Sequence, residues 1–445
     1  MLRAPVRRAA PNRLMRRIPP LGPAVLGSTV ILFMLVLIAQ YTHLVYGVGK
    51  KAPGGNNDTL IFHPWDMEWI YPRGDLNNYQ PGIGQWSHGF GDLFEVWLHS
   101  FSPNPYAQFE YAPSIYPPLL HLITKPIHLL TYPQTIGLYM GLAAGAWLLL
   151  GTLMLRRLRC PYPFMATFVI VFFTLPLLFC LDRGNVEALV AVLLPLALLP
   201  VAGTMATRTG RSWPIVLAGF LKISPFALLG LVHWTRRTLI ATAIAFAVFG
   251  GATLGMLAWM PGGFSENLHA YVLNVTSYTP GNDHLFQFRS TIWGTLAAWM
   301  TPLHLDLGPV LSASAHAGTV GFVIMLGIGA IAAVLPLHLW ERVALIATAL
   351  VLWSGDGPAY RGLYLVVALL LLVGRQWGTR RPFPIALGML MVLALMPKPS
   401  IGSLPWTGTL LTGTAMIAIE VAIVVAGVTR LPRVRRRRNL PRRAQ

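Results

Sequence analysis

The sequence predicts an all-α membrane protein that crosses the bilayer many times. Hydrophobic residues make up 55% of the 445 residues, charged residues only 11%, and the mean hydropathy is +0.58. A soluble domain carries about 25% charged residues, so this chain lacks the polar surface that water requires. Several apolar runs reach the ~20 residues with which a helix crosses a ~30 Å hydrocarbon layer. A membrane β-barrel would instead show short segments of alternating polarity.

The positive charge of the chain is concentrated at its two ends. Of the net charge of +19, much lies in two basic tails, 1–24 and 429–445, which flank an apolar region, 25–428. Such charge marks the cytoplasmic side of membrane helices and contacts anionic lipids. We therefore expect the protein to lie in the plasma membrane with both termini in the cytoplasm. A nucleic-acid partner is not expected, since no aromatic or Gly-rich binding module accompanies the Arg residues.

The first apolar stretch predicts a membrane anchor, because it is too long for a signal peptide and lacks a cleavage site of small residues. Two polar loops, 47–115 and 261–291, interrupt the apolar region. The first has only three basic residues after Val48, which favours the outer side, and loops of this length are usually functional. About 10–12 transmembrane helices are expected, and the candidate segments are 26–46, 117–131, 134–155, 163–181, 186–205, 213–234, 238–260, 308–336, 342–353, 362–374, 383–396 and 407–428.

Two of these segments contain helix breakers, which leaves the topology open. "PPLLHLITKP" in 117–131 and "FLKISPF" in 213–234 combine Pro with Lys, so each segment is a candidate for a broken or re-entrant helix. With ten complete spans, the basic runs 156–159 and 207–211 lie on the cytoplasmic side. With twelve, both lie outside. Either count leaves both tails inside and both long loops outside.

Several functional classes lack their sequence signals. The two cysteines, Cys160 and Cys180, have no metal-binding spacing, and a disulfide framework is not expected. The chain contains no Walker A motif, no HExxH or GxSxG motif, and no regularly spaced Arg residues of a voltage sensor. No metal and no cofactor are therefore expected.

The first outer loop concentrates acidic residues. The chain has 15 acidic residues, and seven lie in this loop: Asp58, Asp66, Glu68, Asp75, Asp92, Glu95 and Glu110. Asp92 begins "DLFEVWLHSF", in which Leu93, Val96, Trp97 and Phe101 predict an amphipathic helix at the membrane surface. One interpretation is a carboxylate that caps this helix. The other is a general base that accepts a proton from a hydroxyl group.

Polar residues also interrupt two apolar segments. "LDRGNVEAL" (181–189) places Asp182, Arg183, Asn185 and Glu187 between two spans. This run is either a turn at Gly184 or a functional site, in which the Arg183 fork would suit a phosphate. Lys222 must extend to the interface, pair with an acid or bind an anion. Weaker signals are Arg289, and Asp356 and Arg361 in "WSGDGPAYRGLY" (353–364).

The order of these motifs resembles the GT-C superfamily of polytopic glycosyltransferases, and within it glycosyltransferase family 87. The features that carry the resemblance are an outer-loop Asp before an aromatic surface segment, then "NPY" (104–106), "YPPLLHLI" (116–123), "RGNVEALVAVLLPLAL" (183–198), "LAGFLKISPFALLGLVHWTRR" (217–237) and "RSTIWGTLAAW" (289–299). It covers about 25–300, and the last third agrees only in hydropathy. The family often carries a late motif with two histidines; the comparable stretch here is "WSGDGPAYRGLY" (353–364), which contains no histidine.

The resemblance implies a GT-C-like bundle that transfers a sugar, mannose in that family, from a polyprenyl-phosphate donor. The acceptor would be a lipid or glycan hydroxyl at the outer face, and the transfer would be inverting. Asp92 matches the position of the catalytic base. We expect the substrate-binding residues to be Arg183, Asn185, Lys222, Arg289, Tyr106, Tyr116, Glu95, Asp66 and Glu68. A transporter or flippase, and a polymerase or ligase of envelope polysaccharide, are the alternatives.

Overall fold

The structure is a computed structural model of the chain. It describes residues 19–46, 90–107, 113–277, 291–310, 317–353, 359–396 and 406–439. These parts are helical, and no strand occurs among them. The predicted all-α polytopic fold class is thus confirmed.

The first ten α-helices carry the surface segment and the two broken segments. They are α1 (Leu21–Tyr46), α2 (Gly91–Phe101), α3 (Pro118–Thr124), α4 (Tyr132–Arg157), α5 (Pro163–Phe172), α6 (Leu175–Arg183), α7 (Glu187–Val190), α8 (Leu193–Leu198), α9 (Trp213–Leu221) and α10 (Arg236–Trp259). The other seven are α11 (Gly263–Ser277), α12 (Ile292–Met300), α13 (Ala317–Val334), α14 (Leu339–Leu352), α15 (Leu363–Gln376), α16 (Pro382–Leu395) and α17 (Trp406–Asn439). Short 3-10 helices are Lys125–Leu129, Ser224–Leu231, Thr301–Leu303 and Ala359–Gly362.

Within the described residues, four helices are long and apolar enough to cross a membrane: α1, α4, α10 and α17. The pair formed by α5 and α6 would make a fifth, although it is bent by 67°. The remaining predicted spans are shorter or interrupted helices. The count of about 10–12 crossings therefore stays a prediction.

Both segments with Pro and Lys are broken, as their sequences predict. The segment 117–131 divides into α3 and a 3-10 helix that begins at Lys125. In 213–234, α9 ends before Lys222, which has an extended backbone, and a 3-10 helix follows with Pro225 in its first turn. Proline provides no N–H for the helical ladder and clashes with the preceding turn. The break at Lys222 lies next to the candidate site.

The centre of the molecule is an apolar pair, α14 and α15. All side chains of α14 are buried, and so are those of α15 from Leu363 to Gly374. A helix that is apolar on all sides belongs inside a bundle. By contrast, α10 exposes a row of large apolar side chains, which suits contact with lipid. The ends of this central pair therefore define the two ends of the bundle.

Arginines gather at one end of the bundle, which we call the basic end. Its residues are Arg157, Arg208, Glu341, Arg342, Arg375 and Arg430. The start of α1 is held at the same end, because Leu21 N–H donates to Thr379 C=O at 2.9 Å. The basic runs 156–159 and 207–211 thus lie at the end where α1 begins. This is the arrangement of the ten-span alternative.

Candidate active site

The helix predicted from "DLFEVWLHSF" exists as α2, and its position at the membrane surface stays a prediction. Its buried residues include Leu93 and Val96, three apart, and Trp97 donates its indole N–H to Leu130 C=O at 3.0 Å. Phe101 packs edge-to-face on Trp97, with ring centres 4.9 Å apart, and 51% of it is exposed. Asp92 lies in the first turn, where the helix dipole favours a negative charge.

A glycine allows α2 to lie directly on the link between α6 and α7. Gly184 ends α6 with a φ of 68°, a left-handed conformation that glycine adopts without strain. A Cβ atom at this position would lie 2.4 Å from Cβ of Leu93. The contact brings Asp92 to Arg183 and Asn185, which flank the glycine. The predicted turn is therefore real, and it also positions a polar cluster.

Asp92 is held by two side chains of that link. Arg183 donates through Nη2 to Oδ1 at 2.9 Å and through Nε to Oδ2 at 3.2 Å, which is a bidentate pair. Asn185 donates through Nδ2 to Oδ2. The carboxylate does not cap α2, whose N-terminus has no side-chain cap bond. The capping interpretation is therefore wrong, and Asp92 belongs to a tertiary ion pair.

Asp92 and Glu95 differ in pKa because their surroundings differ. Burial opposes ionisation of Asp92, but the Arg183 charge and the hydrogen bonds from Arg183 and Asn185 lower its pKa overall. For Glu95, burial and the charge of Asp92 raise the pKa to about 7. Glu95 is nevertheless exposed to solvent. The two carboxylates thus differ in protonation near neutral pH.

A second ion pair lies behind the first. Lys222 Nζ is 2.9 Å from Glu187 Oε2, and Tyr364 donates its hydroxyl to Oε1 of the same carboxylate. Glu187 is fully buried, so its charge requires such partners. Asn185 connects the pairs, since its Oδ1 accepts from Lys222 at 3.3 Å. We call this arrangement the polar network; it consists of Asp92, Arg183, Asn185, Glu187 and Lys222.

Aromatic side chains border the polar network. The Lys222 ammonium lies 4.6 Å from the centre of the Tyr360 ring, and the Arg183 guanidinium lies 5.8 Å from that of Phe179. These are cation–π contacts. Tyr116 is buried, and Asp92 is close enough to raise its pKa further. Arg361 follows Tyr360, and its charge acts on Lys222.

The structure brings together most of the site residues predicted from sequence. Asp92, Arg183, Asn185 and Lys222 form one network, with Glu95 and Tyr116 beside it. Tyr106 is buried instead, and its hydroxyl donates to Tyr116 C=O at 2.9 Å, so it joins two segments of the outer loop. The other three predicted residues lie outside the described part of the chain: Asp66, Glu68 and Arg289.

Two members of the site were not predicted as site residues. Glu187 was recognised only as part of the polar run 181–189, and Tyr364 was read as part of an apolar helix. The signal for Glu187 was available, because a lysine in an apolar segment needs an acidic partner and Glu187 is the acid nearest Lys222 in sequence. Tyr364 is the last residue of the weaker signal "WSGDGPAYRGLY" (353–364), in which Asp356 and Arg361 were singled out instead.

No group of three or more His, Cys, Asp or Glu residues that could hold a metal ion occurs in the described residues. Metal-independent chemistry therefore stays a prediction. Both cysteines are buried and free. What the site offers is a paired carboxylate beside two partly buried cations, Arg183 and Lys222.

Comparison with known families identifies the class of protein. Residues 115–372, more than half of the chain, match a model described as "Glycosyltransferase family 87". A multi-span bundle with this match is a membrane glycosyltransferase. The chain belongs to glycosyltransferase family 87, which is of the GT-C type. The search of curated proteins and that of solved structures return no match. The matched range includes four members of the polar network, whereas Asp92 lies before it.

Proposed function

We propose that the protein transfers a sugar, mannose, from a polyprenyl-phosphate donor to a hydroxyl group of a lipid or glycan. The observation that carries this proposal is the pair between Asp92 and Arg183, at the start of α2 and beside a second, partly buried cation, Lys222. One site thus contains a carboxylate that can accept a proton from the acceptor and cations that can bind a phosphate. Family membership supports sugar transfer, and the two partly buried cations favour a donor that carries phosphate.

Asp92 acts as the general base in this mechanism. Its lowered pKa keeps it ionised at neutral pH, so it is ready to accept a proton. The acceptor hydroxyl becomes acidic as its oxygen bonds to C1 of the sugar, and the proton then passes to Asp92. The bond between C1 and the phosphate oxygen breaks with its electron pair, and polyprenyl phosphate leaves. Attack from the face opposite the phosphate inverts the configuration at C1.

Cations stabilise the negative charge that develops on the departing phosphate. Arg183 and Lys222 lie beside Asp92, although each is already paired with a carboxylate. We therefore add Arg361, whose charge acts on Lys222 from the 3-10 helix Ala359–Gly362. Arg289 keeps its proposed role as a further phosphate ligand. Preorganised positive charge of this kind typically contributes more than any other term.

The active site faces the outside of the plasma membrane in this proposal. The basic end carries the arginines that the positive-inside rule assigns to the cytoplasm. Along α15, Tyr364 contacts the polar network and Arg375 contacts the basic end, about 17 Å away at 1.5 Å per residue. The polar network thus lies toward the opposite surface.

The test measures sugar transfer in membranes that contain the wild type or Asp92→Asn at equal expression. The donor is radiolabelled polyprenyl-phosphate mannose, and the products are extracted lipids and glycans. The matched control is Glu266→Gln, which removes an exposed acid from the first turn of another helix, α11. We expect transfer by the wild type and the control, and a loss of about 10²- to 10⁴-fold in Asp92→Asn.

Other outcomes would contradict specific parts of the proposal. Full activity of Asp92→Asn would exclude Asp92 as the base and direct attention to Asp66 and Glu68. No transfer by the wild type from this donor would exclude the donor. Transfer of the unchanged labelled lipid across sealed vesicles, with no new glycosidic bond, would instead indicate a flippase.

A further inference from the structure

Asn185 occupies the position between the two ion pairs of the polar network. It is 2% exposed. Its Oδ1 atom accepts hydrogen bonds from Glu187 N–H at 2.9 Å and from the Lys222 ammonium at 3.3 Å. Both groups are donors only, so they require the amide oxygen on their side. The amide nitrogen must therefore point toward Asp92.

This orientation distributes the hydrogen bonds of Asp92 unequally. Among the described residues, Oδ2 accepts from Asn185 Nδ2 and from Arg183 Nε, whereas Oδ1 accepts only from Arg183 Nη2. A carboxylate oxygen has two lone-pair sites. Oδ2 is thus fully used, and Oδ1 retains one site. The Asp92 side chain is 15% exposed, so an incoming group can reach it.

We propose that Asn185 is a positioning residue that reserves Oδ1 of Asp92 for the proton of the acceptor hydroxyl. Glu187 and Lys222 act behind it by holding the amide in one orientation. The inference rests on the proposed role of Asp92 as general base. In the step, the hydroxyl proton passes to Oδ1, the acceptor oxygen bonds to C1 of the sugar, and the phosphate leaves with the electrons of its bond to C1.

The ionisable groups around Asp92 determine which titrations a pH profile of the activity would report. Glu95 lies on the same helix. The titratable and charged groups that face Asp92 from other elements are Tyr116, Tyr139, Cys180, Arg183 and Lys222. Asn185 does not titrate, so an acidic residue in its place adds a new charge against Oδ2. A second carboxylate at hydrogen-bond distance raises one pKa of such a pair.

The experiment compares Asn185→Ala, Asn185→Ser and Asn185→Asp by kcat, donor KM and the pH dependence of kcat/KM, normalised to folded protein. We expect Asn185→Ala to lower kcat by about 10- to 100-fold, within the contribution of a well-placed base, and to leave KM unchanged. Asn185→Ser keeps a donor for Oδ2 and should recover part of the loss. Asn185→Asp should move the acidic limb upward by about one pH unit or more.

The matched control is Asn267→Ala. Asn267 is also a fully buried asparagine, and its amide donates to Leu257 C=O and Met260 C=O away from the polar network. Its loss should lower the denaturation temperature and leave the acidic limb in place. The inference is overturned if Asn185→Ala and Asn185→Asp keep the wild-type kcat and acidic limb, or if Asn185→Ser, folded, is as impaired as Asn185→Ala.

The two proposals fail in distinguishable ways. Activity of Asp92→Asn would remove the proposed base, whatever happens at Asn185. An inactive Asp92→Asn together with normal Asn185 variants would leave the base in place and remove only the positioning role. Should Asn185→Ala not fold, Asn185→Ser and Asn185→Asp decide the question through the same pH profile.

Discussion

The described part of the bundle contains two bidentate arginine–carboxylate pairs, and they lie toward opposite ends. Arg430 donates to Glu341 at 2.6 and 2.9 Å, and Arg183 donates to Asp92 at 2.9 and 3.2 Å. Glu341 is fully buried, and its Oε2 also accepts from His338 N–H, so it holds the start of α14. The Asp92 side chain, by contrast, is 15% exposed, so an incoming group can reach its oxygens.

The residues next to the two ion pairs also differ in what they contact. At the basic end, Arg342 and Arg375 donate to Leu335 C=O and Thr204 C=O, where they complete the backbone hydrogen bonding near chain turns. At the polar network, the second cation pairs with a buried acid, and an amide joins the two pairs. Similar ion pairs thus serve different purposes. Each carboxylate accepts three hydrogen bonds from the described residues, so the difference is access: the Glu341 side chain is fully buried, whereas that of Asp92 is 15% exposed.

The largest expected effect is on activity, which should respond differently to substitutions at the two ends of the bundle. Asp92→Asn should lower transfer by about 10²- to 10⁴-fold, because it removes the proposed base while the shape of the side chain is kept. Glu341→Gln should leave the rate per folded molecule close to that of the wild type. Both rates are measured with labelled donor on purified protein. Equal losses of activity in the two variants would show that the comparison is false.

Stability should separate the ends in the opposite direction. Breaking a buried ion pair by removal of one partner costs about 3–5 kcal/mol. Because Arg430 is 29% exposed, we expect Glu341→Gln to cost about 3 kcal/mol, at the lower end of that range. Denaturation in detergent measures the change. A midpoint equal to that of the wild type would mean that the basic-end pair is not structural.

A smaller effect is expected from glycine replacement. Gly184→Ala introduces a residue at a φ of 68°, which costs about 1–2 kcal/mol, and places a methyl group against Leu93. The displacement of α2 should also lower transfer. Gly203→Ala is the matched change at the basic end, where the new methyl would lie 2.7 Å from Arg157 C=O. It should destabilise the protein without a change in rate per folded molecule.

The smallest effect concerns Glu95. Its pKa of about 7 in the folded protein exceeds the ordinary value of about 4.3, so the folded state binds more protons between these pH values. Stability should therefore fall as pH rises through this window. Glu95→Gln cannot ionise and should show a smaller difference between its denaturation midpoints at pH 5 and pH 8. Because Glu95 is exposed, a modest shift is expected. Identical pH dependence of the variant and the wild type would contradict the assignment.

Local sequence was sufficient for much of the fold and for part of the site. Apolar runs identified the all-α membrane class, and the combination of Pro with Lys located both helix breaks, including the one at Lys222. Four site residues could be recognised in the sequence: Asp92, Arg183, Asn185 and Lys222. A polar group in an apolar chain costs free energy, so it usually has a partner or a function. Helix propensity and the cost of desolvation act over a few residues, so they can be read locally.

The partners of these residues were decided by tertiary structure alone. Arg183 and Asp92 are 91 positions apart, and Tyr364 and Glu187 are 177 apart. The sequence equally allowed Asp92 to cap its own helix and Arg183 to pair with Asp182. Which partner a charge takes depends on which helices pack together, and here Gly184 lets α2 settle on the link between α6 and α7. Sequence therefore determined which groups need partners, and packing over the whole bundle determined which partners they have.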